Sequence, residues 1–273
     1  MVNTKQNLHT HTTYVDGKDT PEEIILEAIE RGFGSIGFSE HSYLVHSFYP
    51  NQLTMPKMER YRQEVAALKE KYRGQIDVFC GLEYDFYSDF VPEGYDYLIG
   101  SVHYIVCGDA VATFDHGVNE TKEFIDRYFG GESLAFAKKY FETVARLPEK
   151  YAFDIVGHFD LLVKNNDLGH FFDVTSKQYL DYGFEAIHAL RGKIPFFEVS
   201  TGAMVSGKRN CPYPEMTFLK ELRDCGFGAV ITSDCHNKLY LDGYFEEARE
   251  VLAAAGFRSR WVLTDKGFKE VAL

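Results

Sequence analysis

Apolar residues recur along this chain in two alternating rhythms. Short, dense runs occupy residues 8–11, 34–39, 76–82, 97–102, 154–157, 196–200, 229–233 and 260–263. Their length and their content of Val, Ile, Phe and Tyr predict buried strands. Between them lie longer stretches with apolar positions three or four apart, the spacing of an amphipathic helix. The first helix has a legible start: Thr20 stands as N-cap, Pro21 takes the first helical position and Glu23 completes a capping box. Ile25, Ala28 and Ile29 form its apolar face and Gly32 stops it. Further helices are predicted over 58–72, 119–129, 133–147, 176–190, 214–225 and 243–255, several of them ended by Gly74, Gly130 or Gly226.

The β-then-α unit repeats seven or eight times, with no linker rich in Pro, Gly or Ser. This predicts parallel strands in one (β/α) barrel, possible distortion included, with a doubly wound open sheet as the alternative. The chain has 273 residues, and α/β barrels of about 200–250 residues form single domains. Residues 1–273 are accordingly read as one domain.

Composition narrows the function. Apolar residues make up 45% of the chain, enough for a large core, and the net charge is −12 without a basic run. That balance argues against nucleic acid or an anionic membrane as partner, and no apolar run approaches the ~18–20 residues of a membrane span. Five scattered cysteines without a CxxC pattern, and a polar start at Met1-Val2-Asn3-Thr4-Lys5-Gln6, fit a reducing, cytoplasmic setting. Oligomeric state is not legible.

The polar residues at the ends of the predicted strands carry the chemistry. His9 and His11 share a face if residues 8–11 are a strand, and Asp234 and His236 do so by the same alternation. His41, Glu83, His103 and His158 each follow a predicted strand. In a barrel these ends make one rim, where active sites lie. With Asp16 as a ninth candidate, the set exceeds the four ligands of a closed zinc site, and imidazole with carboxylate suits Zn, Mn or Fe. Two to three divalent ions are expected, with Glu83 as the carboxylate best placed to bridge two of them. Such a cluster keeps residual positive charge inside an acidic protein and can hold a phosphate group, with a shared hydroxide as nucleophile. The simpler reading of Asp16, which precedes Gly17, is a turn residue.

The segments His9-Thr10-His11-Thr12, Asp16-Gly17, Ser39-Glu40-His41, Gly81-Leu82-Glu83, Gly100-Ser101-Val102-His103, Val156-Gly157-His158 and Ser233-Asp234-Cys235-His236 resemble, in order and spacing, the motifs of the PHP superfamily, named for polymerase and histidinol phosphatase. Within it, the histidinol-phosphate phosphatase branch is the most similar. The resemblance implies a distorted (β/α)7 barrel, a trinuclear metal centre and hydrolysis of L-histidinol phosphate, a small phosphorylated substrate, in histidine biosynthesis. It implies one ion on His9, His11, Glu83 and Asp234, a second on Glu83, His103 and His158, and a third on His41 and His236. Asp16 takes a place that other members give to histidine. The stretch 206–214 resembles the family's substrate loop and makes Arg209, with its neighbour Lys208, the expected phosphate contact. Asp234 or His236 is expected to supply the proton for the leaving alkoxide. Asp115 and His116 are candidates for the substrate's nitrogen groups, although an ordinary loop role is simpler. Two rivals remain at this point. One is a PHP phosphatase acting on phosphotyrosine, a nucleotide or an oligonucleotide. The other is a non-catalytic module stabilised by metal.

Overall fold

The structure is a computed structural model that describes residues 3–44, 53–108, 110–114 and 116–273. Seven parallel strands form one sheet: β1 (Gln6–Asn7), β2 (Ser35–His41), β3 (Asp77–Asp85), β4 (Tyr97–Ser101), β7 (Ile155–Val156), β8 (Phe196–Ser200) and β9 (Gly228–Thr232). Two antiparallel hairpins stand outside this sheet, β5 (Tyr104–Cys107) with β6 (Ala110–Thr113), and β10 (Ser259–Thr264) with β11 (Gly267–Ala272). The helices are α1 (Pro21–Glu30), α2 (Met55–Lys71), α3 (Val118–Phe129), α4 (Ser133–Ala145), α5 (Asn166–Gly169), α6 (Lys177–Leu190), α7 (Gly202–Val205), α8 (Met216–Asp224) and α9 (Phe245–Ala255).

Strand order follows chain order from β1 to β9, and the two edges nearly meet. Residues 9–11 form the seam. On one side Ser39 N donates to Thr10 O at 2.9 Å; on the other His11 N donates to Cys235 O at 2.8 Å and Cys235 N to His9 O at 3.0 Å. The sheet is therefore a nearly closed barrel, as the repeat predicted, rather than an open sheet.

Local signals in the sequence account for much of this. The Thr20–Glu23 capping box is formed, and α1 buries Ile24, Ile25 and Ala28. Ser176 caps α6 by accepting from Tyr179 N. Two expectations need correction. Ladder pairing of the first strand ends at Asn7 instead of running over 8–11, because the seam residues divide their main-chain bonds between both barrel edges. The run 260–263 is not an eighth barrel strand. It pairs with β11, a segment whose charged and polar character hid it from the pattern.

The barrel interior changes character along its axis. Leu8, Phe79, Tyr97, Ile99, Ile155, Phe196 and Val230 form a small cluster apart from the larger core between sheet and helices. Leu263, Trp261 and Phe268 of the last hairpin complete it. The Gln6 side chain locks that hairpin in place: it donates to Leu263 O at 2.8 Å and accepts from Leu263 N at 2.8 Å. The N-terminal end of the barrel is thus plugged by apolar side chains. Further along several strands, on the same face, the positions turn polar: Phe196 leads to Glu198 and Val230 to Thr232 two residues on, and Phe79 through Gly81 to Glu83 four residues on. Tyr97 crosses the space at Gly81, where a Cβ would collide with its ring, and its one hydroxyl proton is shared between Leu8 O and Phe38 O, both within hydrogen-bond distance.

Candidate metal centre and pocket

Glu83 ends up at the centre of the polar layer, buried with 1% exposure. Its two oxygens serve different partners. Oε2 lies 3.4 Å from His9 Nε2, 3.6 Å from His11 Nε2 and 2.7 Å from His41 Nδ1. Oε1 lies 3.2 Å from His103 Nε2 and 2.9 Å from His158 Nε2. Asp234 Oδ1 approaches His11 Nε2 at 3.2 Å and His9 Nε2 at 3.5 Å. A third group is more open: Asp16 Oδ2 is 3.5 Å from His41 Nε2 and 3.4 Å from His236 Nε2. All nine expected ligand residues are therefore brought together at the C-terminal rim.

Asp234 and His236 do not get there by strand alternation. Asp234 lies beyond the end of β9 with φ +46°, a left-handed conformation that aspartate tolerates better than most residues. The close pass of Gly202 permits it, since a Cβ there would sit 2.8 Å from the Asp234 Cβ. His236 Nδ1 contacts Asp234 O at 3.0 Å, which turns the ring toward Asp16.

The donor set fits metal ions. His9 Nε2, both ring nitrogens of His11 and Glu83 Oε2 are buried yet have no hydrogen bond of good geometry, although oppositely charged atoms lie within ion-pair distance. Atoms that are close but misaligned are arranged to share a third centre, and uncompensated buried polar atoms are otherwise costly. Ligand atoms of His9, His11 and Asp234, of His41, Glu83 and His103, and of His11, Asp16, His41 and His236 form three groups, each compact enough for one ion. Electrostatics agree. Burial opposes charge on Glu83, but the imidazoles of His103, His9 and His41 hold its carboxyl well below the usual range. Burial likewise opposes a cationic His103, and Glu83 with Asp85 nevertheless lifts it to about 10. Burial and its histidine neighbours push His11 down to about 3. The site is a nest of anions that attracts positive charge, whether protons or metal ions.

A further carboxylate, absent from the sequence expectations, braces this nest. Glu198 is fully buried on β8. It accepts from Thr232 Oγ1 at 2.8 Å and from His158 N at 2.6 Å, and lies 2.8 Å from His9 Nδ1. Carboxylates that orient a ligating histidine through its other ring nitrogen are a recurrent device of metal sites. Asp85 does the same for His103, whose Nδ1 lies 3.2 Å away. The available signal was a glutamate inside the otherwise apolar run Pro195-Phe196-Phe197-Glu198-Val199: such a residue is almost never buried without a partner.

A pocket of about 460 Å³ opens over the rim, within the range of small-molecule sites. Lys18, Lys164, Lys208 and His116 line it, with Tyr213 and Tyr240 as aromatic walls. Of the expected substrate contacts, Lys208 and His116 line the pocket; Asp115 lies outside the described residues. Arg209 requires correction. It does not line the pocket. Its side chain is only 3% exposed, paired with Glu215 and, at 3.3 Å, with Asp167, and it lies over the Tyr213 ring at 5.4 Å. Two carboxylates hold the buried guanidinium against the loop, and its Nη1 is buried without a hydrogen-bond partner among the described residues. No described helix is long and apolar enough to cross a membrane.

Fold and site together define a barrel metallohydrolase, with a clustered ligand set at the C-terminal rim. The sequence model of the PHP domain matches residues 7–194, and the chain belongs to the PHP family. It is a metal-dependent phosphoesterase of that family. Histidinol-phosphatase from Bacillus subtilis is 28% identical over 180 residues, covering 59% of this chain and 67% of that protein. A "probable histidinol-phosphatase" from Deinococcus radiodurans is 24% identical over 265 residues, covering 92% of this chain and 94% of that one. A crystal structure of histidinol phosphate phosphatase from Lactococcus lactis, complexed with zinc, L-histidinol and phosphate, superposes with a TM-score of 0.72. It is 20% identical and covers 97% of this chain and 99% of its own.

Proposed function

We propose that this chain hydrolyses small phosphate monoesters, with L-histidinol phosphate as its substrate. The observation that carries the reading is the double engagement of buried Glu83, each oxygen facing a different set of imidazoles beneath a pocket of monoester size. The histidinol-phosphatases among its relatives supply the substrate.

His9, His11, Glu83 and Asp234 would hold one divalent ion, Glu83, His103 and His158 a second, and Asp16, His41 and His236 a third. When bound, such ions supply Lewis-acid stabilisation of the phosphoryl group and an activated water. The chain's own residues do the rest. Glu198 and Asp85 fix the rings of His9 and His103, so the site is set before substrate arrives. Lys208, Lys18 and Lys164 place positive charge on the pocket wall, where phosphate oxygens would lie. Tyr213 and Tyr240 give the pocket aromatic walls. Asp234 and His236 stand where a proton for the leaving alkoxide can be held.

One observation favours a second reading. Apart from Asp16 and Asp234, the described pocket lining carries no carboxylate, whereas it carries three lysines. A substrate with a second anionic group, such as a nucleotide or a sugar bisphosphate, suits that wall better than one with an ammonium group. A turnover panel decides: histidinol phosphate, phosphotyrosine, nucleotides and sugar phosphates at matched concentrations. Dominant turnover of histidinol phosphate is expected, and a kcat/KM higher for any doubly anionic ester overturns that choice.

A further inference from the structure

Two helices of the outer layer, α6 and α8, pack side by side and bring a second donor cluster together. His188 lies near the C-terminal end of α6. Glu221 lies on α8 and Cys225 is its C-cap, four residues on and therefore on the same helical face. His188 Nε2 is 2.6 Å from Glu221 Oε1, and Cys225 Sγ is 3.6 Å from the same oxygen. One nitrogen, one oxygen and one sulfur thus lie within 4.8 Å of one another. Bonds of about 2.0–2.3 Å at tetrahedral angles separate ligand atoms by roughly 3.3–3.7 Å. The His188–Glu221 contact has only to open by a fraction of that length, and the exposed imidazole is free of packing that would resist it: its side chain is 57% exposed.

We propose that His188, Glu221 and Cys225 form a peripheral site for a zinc-class divalent ion, distinct from the rim centre and joining α6 to α8. The donor set is the argument. Imidazole, carboxylate and thiolate together match the borderline-soft preference of Zn²⁺ and Co²⁺, and three protein ligands leave a fourth position for water. On binding, the Cys225 thiol releases its proton to solvent and the sulfur takes the metal bond. The rim shares no residue with this cluster, and its donors are all nitrogen and oxygen. The nearby Cys235 is turned away from the rim, its Sγ 2.9 Å from Asn237 O.

That difference in donors gives a selective test. Protein stripped with chelator is titrated with Co²⁺ and followed in the near ultraviolet, where only thiolate ligation gives an intense charge-transfer band. Wild type is expected to develop the band with the intensity of one thiolate per chain. Cys225→Ser should lack it, and His188→Ala should need much more cobalt to reach it. Circular dichroism confirms folding; the exposed His188 makes the second variant safe in this respect. Phosphatase activity of both variants, reloaded with metal, should stay within about twofold of wild type. No band in wild type at cobalt excess, or a band that persists in Cys225→Ser, overturns the site.

Discussion

Glu83 and Glu198 are both buried glutamates, and the structure gives them different work. Glu83 faces five imidazoles and carries the charge of the nest. Replacing it with Gln preserves shape but removes a full negative charge, so bound metal is expected to fall by more than one ion per chain and turnover by several orders of magnitude. Elemental analysis and steady-state kinetics on the folded variant check this; full metal content with near-normal turnover would remove Glu83 from the centre. Glu198 touches no substrate and orients His9. Glu198→Ala is expected to weaken metal retention about 10–100-fold while folding persists, and Glu198→Gln, which can still accept a hydrogen bond, should recover part of the loss; competition against a chromogenic chelator measures both. Lys208→Ala should raise KM for a phosphate monoester more than it lowers kcat, because the lysine lines the pocket wall away from the ligand nest. The sequence showed most of the rim residues because they stand in or just after short apolar runs; Asp16, in a turn before Gly17, is a candidate whose simpler reading there is a turn role. The sequence concealed Glu198, which lies within such a run, and it misplaced Arg209. A loop arginine near a substrate site looks the same in sequence whether it faces the pocket or, as here, the carboxylates of Glu215 and Asp167.

Elements were legible where local chemistry decides them and not where distant partners do. The capping box of α1 and the inner strands from β2 onward follow from capping residues and short apolar runs, whereas β1, the polar pair Gln6–Asn7, precedes the run that predicted it. The β5–β6 hairpin and the pairing of β10 with β11 depend on contacts that no local rhythm encodes. The last hairpin nonetheless supports the rim from below, since Leu263 completes the apolar layer under the polar one. Leu263→Ala should cost about 2–5 kcal/mol, lowering Tm by roughly 2–4 °C per kcal/mol in a thermal melt, with the metal ligands themselves untouched. Gly81→Ala is expected to be at least as damaging relative to its size, because the added methyl enters the Tyr97 ring; an unchanged Tm would show that the barrel floor yields more easily than its packing suggests.

At the scale of the molecule, metal and fold are coupled. Unpartnered nitrogen and oxygen atoms at the rim mean that a chelator-stripped protein keeps their desolvation cost without the compensating ion. Tm should fall on chelation and recover on adding Zn²⁺ or Mn²⁺, by an amount corresponding to about 2.7 kcal/mol when free metal is a hundred times the dissociation constant; a melt indifferent to metal would count against the rim as a metal centre. The seam has another consequence, one that concerns time. Asn7 and Ser233, which hydrogen-bond beside it, are 226 positions apart, and His9 and Cys235 are stitched together there. Loop closure over such a span adds little to the thermodynamic cost but much to the search. During synthesis the His9–His11 pair is made well before Asp234 and His236, which lie across the seam from it. A nascent chain that lacks Asp234 and His236 is therefore expected to be inert toward phosphate esters, with hydrolytic competence arriving only when the ring closes.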